Sequence, residues 1–306
     1  MTMTRSTKPQ KLPKGQRKPA NTNFVITDRD LEILAVIGRY RYLRTGQISK
    51  LIFPENKTLQ SARRRLKYLF HHGYIGRIQP LVQQGSGDSE IAYFLEKSGR
   101  ELLAADDLPR YSLKNSVKPV FLQHALAVSE FRMNLELGLQ VFPKISLQRI
   151  VADFELKTHT ENAIGKRRYR LFDELQDPIS KRKIVVYPDI LFIMKAESAS
   201  GKVFQRLFFV EIDRGTEGLN TIRDKLTGYY LYQREAVFKK FGEFADFRIL
   251  IQTNSRKRAD NISAIANDFR EHLSVWVSED EAVNAETIVS GLIWNDGSDE
   301  RKSVLK

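Results

Sequence analysis

The sequence predicts a mixed α/β protein in two parts, and three observations predict it. Between residues 27 and 71 apolar side chains recur at helical spacing, and two short alternating runs follow, which reads as helices closed by a hairpin. From residue 121 onward, behind a polar linker over 111–119, a long helix leads into apolar strands separated by helical stretches, the pattern of a sheet with helices packed against it. The charge is divided as well: residues 1–110 carry 20 Lys and Arg against 10 Asp and Glu, and residues 111–306 carry 30 against 27. A chain of 306 residues, 42% of them apolar, has room for two cores at roughly 150 residues per domain.

Residues 1–22 contain Arg5, Lys8, Lys11, Lys14, Arg17 and Lys18 with hardly an apolar side chain, and read as a flexible basic arm. The first helix starts behind Thr27, with Asp30 at the third position to complete a capping box, and runs to about Tyr42. A short second helix runs from Thr45 to the stop at Pro54. The third opens near Thr58, buries Leu59, Ala62, Leu66, Leu69 and Phe70, and ends at Gly73. Its remaining surface presents Gln60, Arg63, Arg64, Lys67 and His71, with Arg65 flanking. No acid occurs between Asn56 and Gly87, whereas Lys57, Arg63, Arg64, Arg65, Lys67 and Arg77 do, and such a cluster attracts a polyanion. The runs 74–79 and 91–95 form the hairpin around the polar turn 83–89. A helix from about Glu96 to Ala105 closes the module, and Asp106 to Pro109 marks a boundary, giving a first domain over 23–110.

Three helices followed by a hairpin make a winged helix-turn-helix. Such a domain lays its third helix in the major groove of duplex DNA and its wing on the adjacent phosphates. Gln60, Arg63, Arg64 and Lys67 are then the groove and backbone contacts, Arg77 and Gln84 those of the wing, and Lys14, Arg17 and Lys18 those of the arm. The open alternatives are a solvated basic face and a protein-interaction module.

In residues 111–306, Phe121, Ala125, Val128, Phe131, Leu135 and Leu139 mark a long helix with Glu130 near its middle. Strands follow at Ile150–Leu156, Ile184–Met194 and Val203–Asp213, the last two joined by a turn over 195–202; residues 157–183 are too polar to assign. Thr216 caps a helix over about 217–240, a strand spans Asp246–Thr253, a helix runs from Arg256 to about Arg270, and Leu273–Val277 is a final short strand.

Glu211 and Asp213 stand two apart on one strand and so leave the same face, with Asp189 on the adjoining strand behind Pro188. Three carboxylates there need compensation, which a hard divalent ion such as Mg²⁺ or Mn²⁺ supplies. A structural ion network with Arg214, Arg223 or Lys225 is the alternative. His124 and His159 read as packing or surface residues. Without cysteine, and with five scattered histidines, the chain offers neither a thiolate metal site nor a histidine-built one, and no Ser-His-Asp or phosphate-loop spacing occurs. The absence of a secretory or membrane-spanning run points to a cytoplasmic protein.

The blocks Phe121-Leu-Gln-His-Ala-Leu-Ala-Val-Ser-Glu130, Tyr187-Pro-Asp189 and Phe209-Val-Glu-Ile-Asp-Arg-Gly-Thr-Glu217, behind a winged helix, resemble the replication-relaxation family of plasmids and integrative elements, over about Asn23 to Val277. The resemblance implies a prokaryotic mobile-element protein connected with replication or mobilisation through DNA binding. The second domain also resembles the restriction-endonuclease-like nucleases, with Pro-Asp on one strand and Glu-x-Lys on the next. By position, that likeness makes Asp189 and Glu211 metal ligands and Glu130 the helical carboxylate. Asp213 stands where those nucleases place a lysine, so Lys225 of the following helix is the candidate replacement. Three readings stay open: a DNA-binding accessory or regulatory protein, a Mg²⁺- or Mn²⁺-dependent endonuclease, and an interaction module of a relaxase or replication complex. A homodimer matches the pseudo-symmetry of duplex DNA.

Overall fold

The computed structural model describes residues 17, 24–56, 58–79, 91–103, 118–161, 167–169, 173–178, 181–198, 200–298 and 300–305. The architecture is mixed α/β, and the chain separates into two compact units, the second beginning in the main at Val120.

In the first unit, α1 (Asp28–Tyr40) starts at the expected capping box: Thr27 N donates to Asp30 Oδ2 at 2.9 Å. It ends two residues earlier than the sequence predicts, because Arg41 adopts a φ of 71° and turns the chain into β1 (Leu43–Arg44), a two-residue strand too short to read from periodicity. α2 (Thr45–Ile52) and α3 (Gln60–His71) follow. α3 closes in a paired-bond cap: Gly73, at φ 82°, donates to Phe70 O at 3.1 Å and Tyr74 donates to Leu69 O at 3.0 Å, a geometry that favours glycine at this position. β2 (Ile75–Ile78) and β3 (Ala92–Leu95) then complete an antiparallel sheet in the order β1-β3-β2. The core gathers Ile33, Leu34 and Ile37 of α1, Ile48 of α2, Leu66 and Leu69 of α3 and Leu95 of β3, all fully buried. Each such side chain contributes about 1.5–3 kcal/mol relative to exposure. α4 is one short turn, Lys97–Glu101; the boundary expected at 106–109 lies outside the described residues, as does the arm apart from Arg17.

The second unit is built on a five-stranded sheet. α5 (Pro119–Leu139) leads into β4 (Ile145–Ala152), and the chain returns through β9 (Ile190–Glu197) and β10 (Val203–Asp213) as an antiparallel meander. α7 (Leu219–Arg234) and α8 (Arg256–Ala266) are the crossovers to β11 (Phe247–Thr253) and β12 (Ser274–Glu279), which lie parallel to β10, giving the order β12-β11-β10-β9-β4. Alternation along β10 divides the core. Leu207 and Phe209 pack with Ile222, Leu226 and Tyr229 of α7 and Ile262 of α8. Phe208, Val210 and Ile212 pack with Val128, Phe131 and Leu135 of α5.

Several expectations are corrected here. The strand expected over Ile150–Leu156 begins earlier and stops at Ala152, where Glu155 accepts bonds from Ala152 N (3.0 Å) and Arg132 (2.6 Å) and winds one helical turn, α6 (Asp153–Leu156). The polar stretch after it holds β5 (Lys157–Glu161), β6 (Arg167–Tyr169) and β7 (Asp173–Gln176). The single strand expected over Ile184–Met194 is two: β8 (Lys183–Val186) pairs with β7, and β9 enters the main sheet after Pro188, which has no N–H for a ladder. Thr216 does not cap α7; Gly218 precedes its first residue, and the helix gives way at Ala236, φ 53°, to a 3₁₀ turn over Val237–Phe241. Residues beyond 279, unread in the sequence, place Val283, Ile288, Val289, Trp294 and Val304 over the α5 face of the sheet.

Candidate nucleic-acid interface and buried carboxylate site

α3 has two faces. Ala62, Leu66, Leu69 and Phe70 are buried, whereas Gln60, Arg63, Arg64 and Lys67 are exposed and have no side-chain partner among the described residues. Arg65, although between them in sequence, turns the other way. Its Nε donates to Asp30 Oδ1 at 2.7 Å, its Nη2 pairs with Asp30 Oδ2, and its guanidinium lies 5.1 Å from the Phe24 ring centre. Asp30 is fully buried. Burial alone would raise its pKa, but the bonds from Arg65 and Thr27 outweigh that and hold it below the ordinary carboxylate value. Arg65 therefore fixes α3 on α1, and Arg63, Arg64 and Lys67 stay exposed on the outer face.

The other basic residues divide. Arg77 stacks its guanidinium 4.0 Å from the Phe70 ring centre. Arg17 is engaged with its own unit, donating to Phe70 O at 3.0 Å and to Glu96 at 2.9 Å. Lys14, Lys18 and Gln84 lie outside the described residues.

In the second unit the antiparallel register pairs Val210 with Ile190 and so brings Glu211 opposite Asp189. Asp189 Oδ2 accepts the Ile212 N–H at 2.7 Å, and Oδ1 contacts His124 Nε2 at 2.8 Å. Glu211, 5% exposed, accepts from Tyr229 OH at 2.6 Å and from Lys225 Nζ at 3.1 Å; Lys225 also meets Glu217 at 3.0 Å. Burial drives the Glu211 carboxyl up, with the Lys225 charge opposing and Asp189 adding to the rise. The Glu211 charge raises Lys225 in turn. His124 is pulled down by burial and further up by Asp189, ending above its ordinary value. Lys225 thus reaches Glu211 from α7.

Asp213 belongs to a different group. It shares a strand with Glu211, but it accepts from Arg258 Nε at 2.9 Å and Nη2 at 3.1 Å and from Thr253 Oγ1 at 2.6 Å. Of the ion network expected for Glu211 and Asp213 with Arg214, Arg223 or Lys225, the Lys225–Glu211 pair is present, whereas Arg214 meets Asp280 at 2.8 Å and Arg223 meets Asp268 at 2.7 Å. Arg258 also donates to Glu217 O at 2.7 Å, so it ties down the loop that delivers Glu217 to Lys225.

Whether these carboxylates suit a divalent cation follows from their donors. All four oxygens of Asp189 and Glu211 already face a protein donor or the His124 ring, and an ammonium sits against Glu211. Glu130 is half-buried on α5, and among the described residues no group of three His, Asp or Glu side chains is placed to hold a metal ion. As arranged, the pocket is compensated by its own cations and does not fit Mg²⁺ or Mn²⁺. His124, Tyr229 and Arg258 are the members that sequence reasoning missed. His124 stood inside the Phe121–Glu130 block; Arg258, 45 positions from Asp213, had no local signal.

The fold and these sites define a mixed α/β protein with a basic helix face, unpaired among the described residues, on one unit and a charge-compensated acidic pocket in the other. The chain belongs to the replication-relaxation family, whose model matches residues 34–245. No curated protein and no solved structure matches it. Among the described residues no helix is long and apolar enough to cross a membrane.

Proposed function

We propose that the protein is a duplex-DNA-binding accessory or regulatory factor of plasmid or mobile-element replication or mobilisation, and that α1–α3 with the β2–β3 hairpin act as a winged helix-turn-helix. The observation that carries the reading is the outer face of α3, where Arg63, Arg64 and Lys67 are exposed and, among the described residues, unpaired, while the helix is anchored from behind by Arg65 and Asp30. A recognition helix needs this combination, since its cations must be free to meet phosphates and base edges while its backbone is held still. Membership of a replication-linked family supports the same reading.

Fluorescence anisotropy with labelled duplexes over a salt series tests it. Affinity should fall with log[salt] at a slope of about −0.9 per neutralised phosphate. Arg63→Ala with Arg64→Ala should weaken binding at least about tenfold, and more if either reaches a base. Removing residues 1–22 should weaken all duplexes alike. Unchanged affinity in the folded double variant would take α3 out of the interface and leave the interaction-module reading, a platform for a relaxase or replication protein.

A second reading, DNA cleavage at Asp189 and Glu211, is favoured by one observation, the reach of Lys225 to Glu211 at 3.1 Å. The antiparallel meander of β4, β9 and β10 followed by a parallel β11 is compatible with it. Because the carboxylates are already compensated, supercoiled, linear and single-stranded DNA should stay intact with the purified protein in Mg²⁺ or Mn²⁺. Chelator-sensitive cleavage that disappears in Asp189→Ala and Glu211→Ala would replace the first reading with the second.

A further inference from the structure

On the α5 face of the main sheet, at the end opposite the Asp189–Glu211 pair, β10 and β11 place two arginines together. Arg248 lies beside Phe208 in the parallel register, and Arg206 is two residues before Phe208 on the same face. Arg248 is 8% exposed. Its guanidinium stacks 3.4 Å from the Trp276 ring centre and its Nε makes one long bond, 3.4 Å, to Ser274. Its Nη1 is buried and has no hydrogen-bond partner among the described residues.

A guanidinium stacked on a ring keeps its N–H donors in its own plane, so the Trp276 contact does not satisfy them. Neither Arg206 nor Arg248 forms an ion pair among the described residues. Asp246 and Asp296 act on Arg248 through their charge, but Asp296 is bonded to Ser298, at 3.1 Å from its N–H and 2.6 Å from its hydroxyl. Burial, and after it the neighbouring Arg206, bring Arg248 down to about 9. Two like charges on adjacent strands, one of them buried with an idle donor, are costly to keep together unless an anion joins them.

We propose that Arg206 and Arg248 form an anion site on this sheet face and that it takes a phosphoryl oxyanion. A tetrahedral group offers oxygens to two guanidinia at once, whereas a planar carboxylate is matched by a single fork. The source is either a backbone phosphate of DNA or a free phosphate. The site is independent of the α3 reading, because it uses other residues in the other unit.

The test is phosphorus NMR of inorganic phosphate titrated with the full-length protein at constant ionic strength. Wild type should broaden the phosphate line saturably, and Arg206→Gln, a half-exposed position that leaves the core intact, should weaken this about tenfold, the loss expected for one charge-assisted contact. Arg248→Met, which keeps the stacked stem on Trp276, should abolish it, and the Arg63→Ala, Arg64→Ala double variant should bind phosphate like wild type. Displacement of phosphate by a short duplex identifies a backbone phosphate as the source; phosphate that resists the duplex identifies a free phosphoryl ligand. Absence of binding in wild type, or equal binding in wild type and Arg206→Gln, overturns the proposal.

Discussion

Arg65→Met should destabilise the first unit by about 3–5 kcal/mol, the typical cost of removing one partner of a buried ion pair. The Asp30 side chain has no solvent exposure, and both of its oxygens face Arg65. Without the guanidinium a buried carboxylate keeps only its Thr27 bonds, and α3 loses its polar tie to α1. Against a total stability of about 5–15 kcal/mol this is a large fraction. Urea denaturation should show a lower midpoint with an unchanged slope, and hydrogen exchange should quicken in α1 and α3. Duplex affinity should fall with it although Arg65 itself faces away from the exposed row. An Arg65→Met protein as stable as wild type would show that the pair does not anchor the helix.

The second large effect is expected at Arg258. Its side chain is 15% exposed and that of Asp213 is 2% exposed, so Arg258→Met should again cost about 3–5 kcal/mol. Arg258→Lys should not rescue it, because an ammonium cannot reproduce the two-pronged bond to Asp213 and the bond to Glu217 O together. Pairing Arg258→Met with Asp213→Asn should recover part of the loss, since the uncompensated charge is then gone, and a double-mutant cycle measures the coupling. The pH dependence has a definite sign. For Asp213, burial pushes the carboxyl up, but the bonds from Arg258 and Thr253 hold it below the ordinary 3.8, as the bonds of Asp30 do for that residue. A carboxylate depressed in the folded state stabilises fully above its unfolded pKa, and that stabilisation is lost as pH falls through the lower folded value. Acid unfolding should therefore set in below about pH 4 and shift upward in both arginine variants. An acid limb identical in wild type and variants would mean that other groups control it.

Much of the molecule was legible in the residue order because its causes are local. The capping box at Thr27 and Asp30, the buried stripe of α3 and the exposed Arg63, Arg64 and Lys67 follow from a period of 3.6 residues, and the strands bearing Glu211 and Ile249 from apolar runs too short for helices. The break at Pro188 and the turn at Glu155 were less legible, since each depends on where the next segment finds a partner: β8 on β7, and Glu155 on Arg132.

What the sequence by itself determined is the mixed α/β class, the basic third helix and the identities of the acids on β10. Which acid meets which cation was decided by tertiary structure. Arg65 reads as one more basic residue of an exposed run, yet the packing of α3 on α1 buries it against Asp30, 35 positions away. Glu211 and Asp213 share a strand face, but α7 covers the first with Lys225 and Tyr229 while α8 brings Arg258 to the second. His124 reached Asp189 across 65 positions. The physical reason is range: backbone periodicity acts over a few residues, whereas charge pairing acts through space, and neighbours in space are set only when the sheet register and the helices packed on it are fixed.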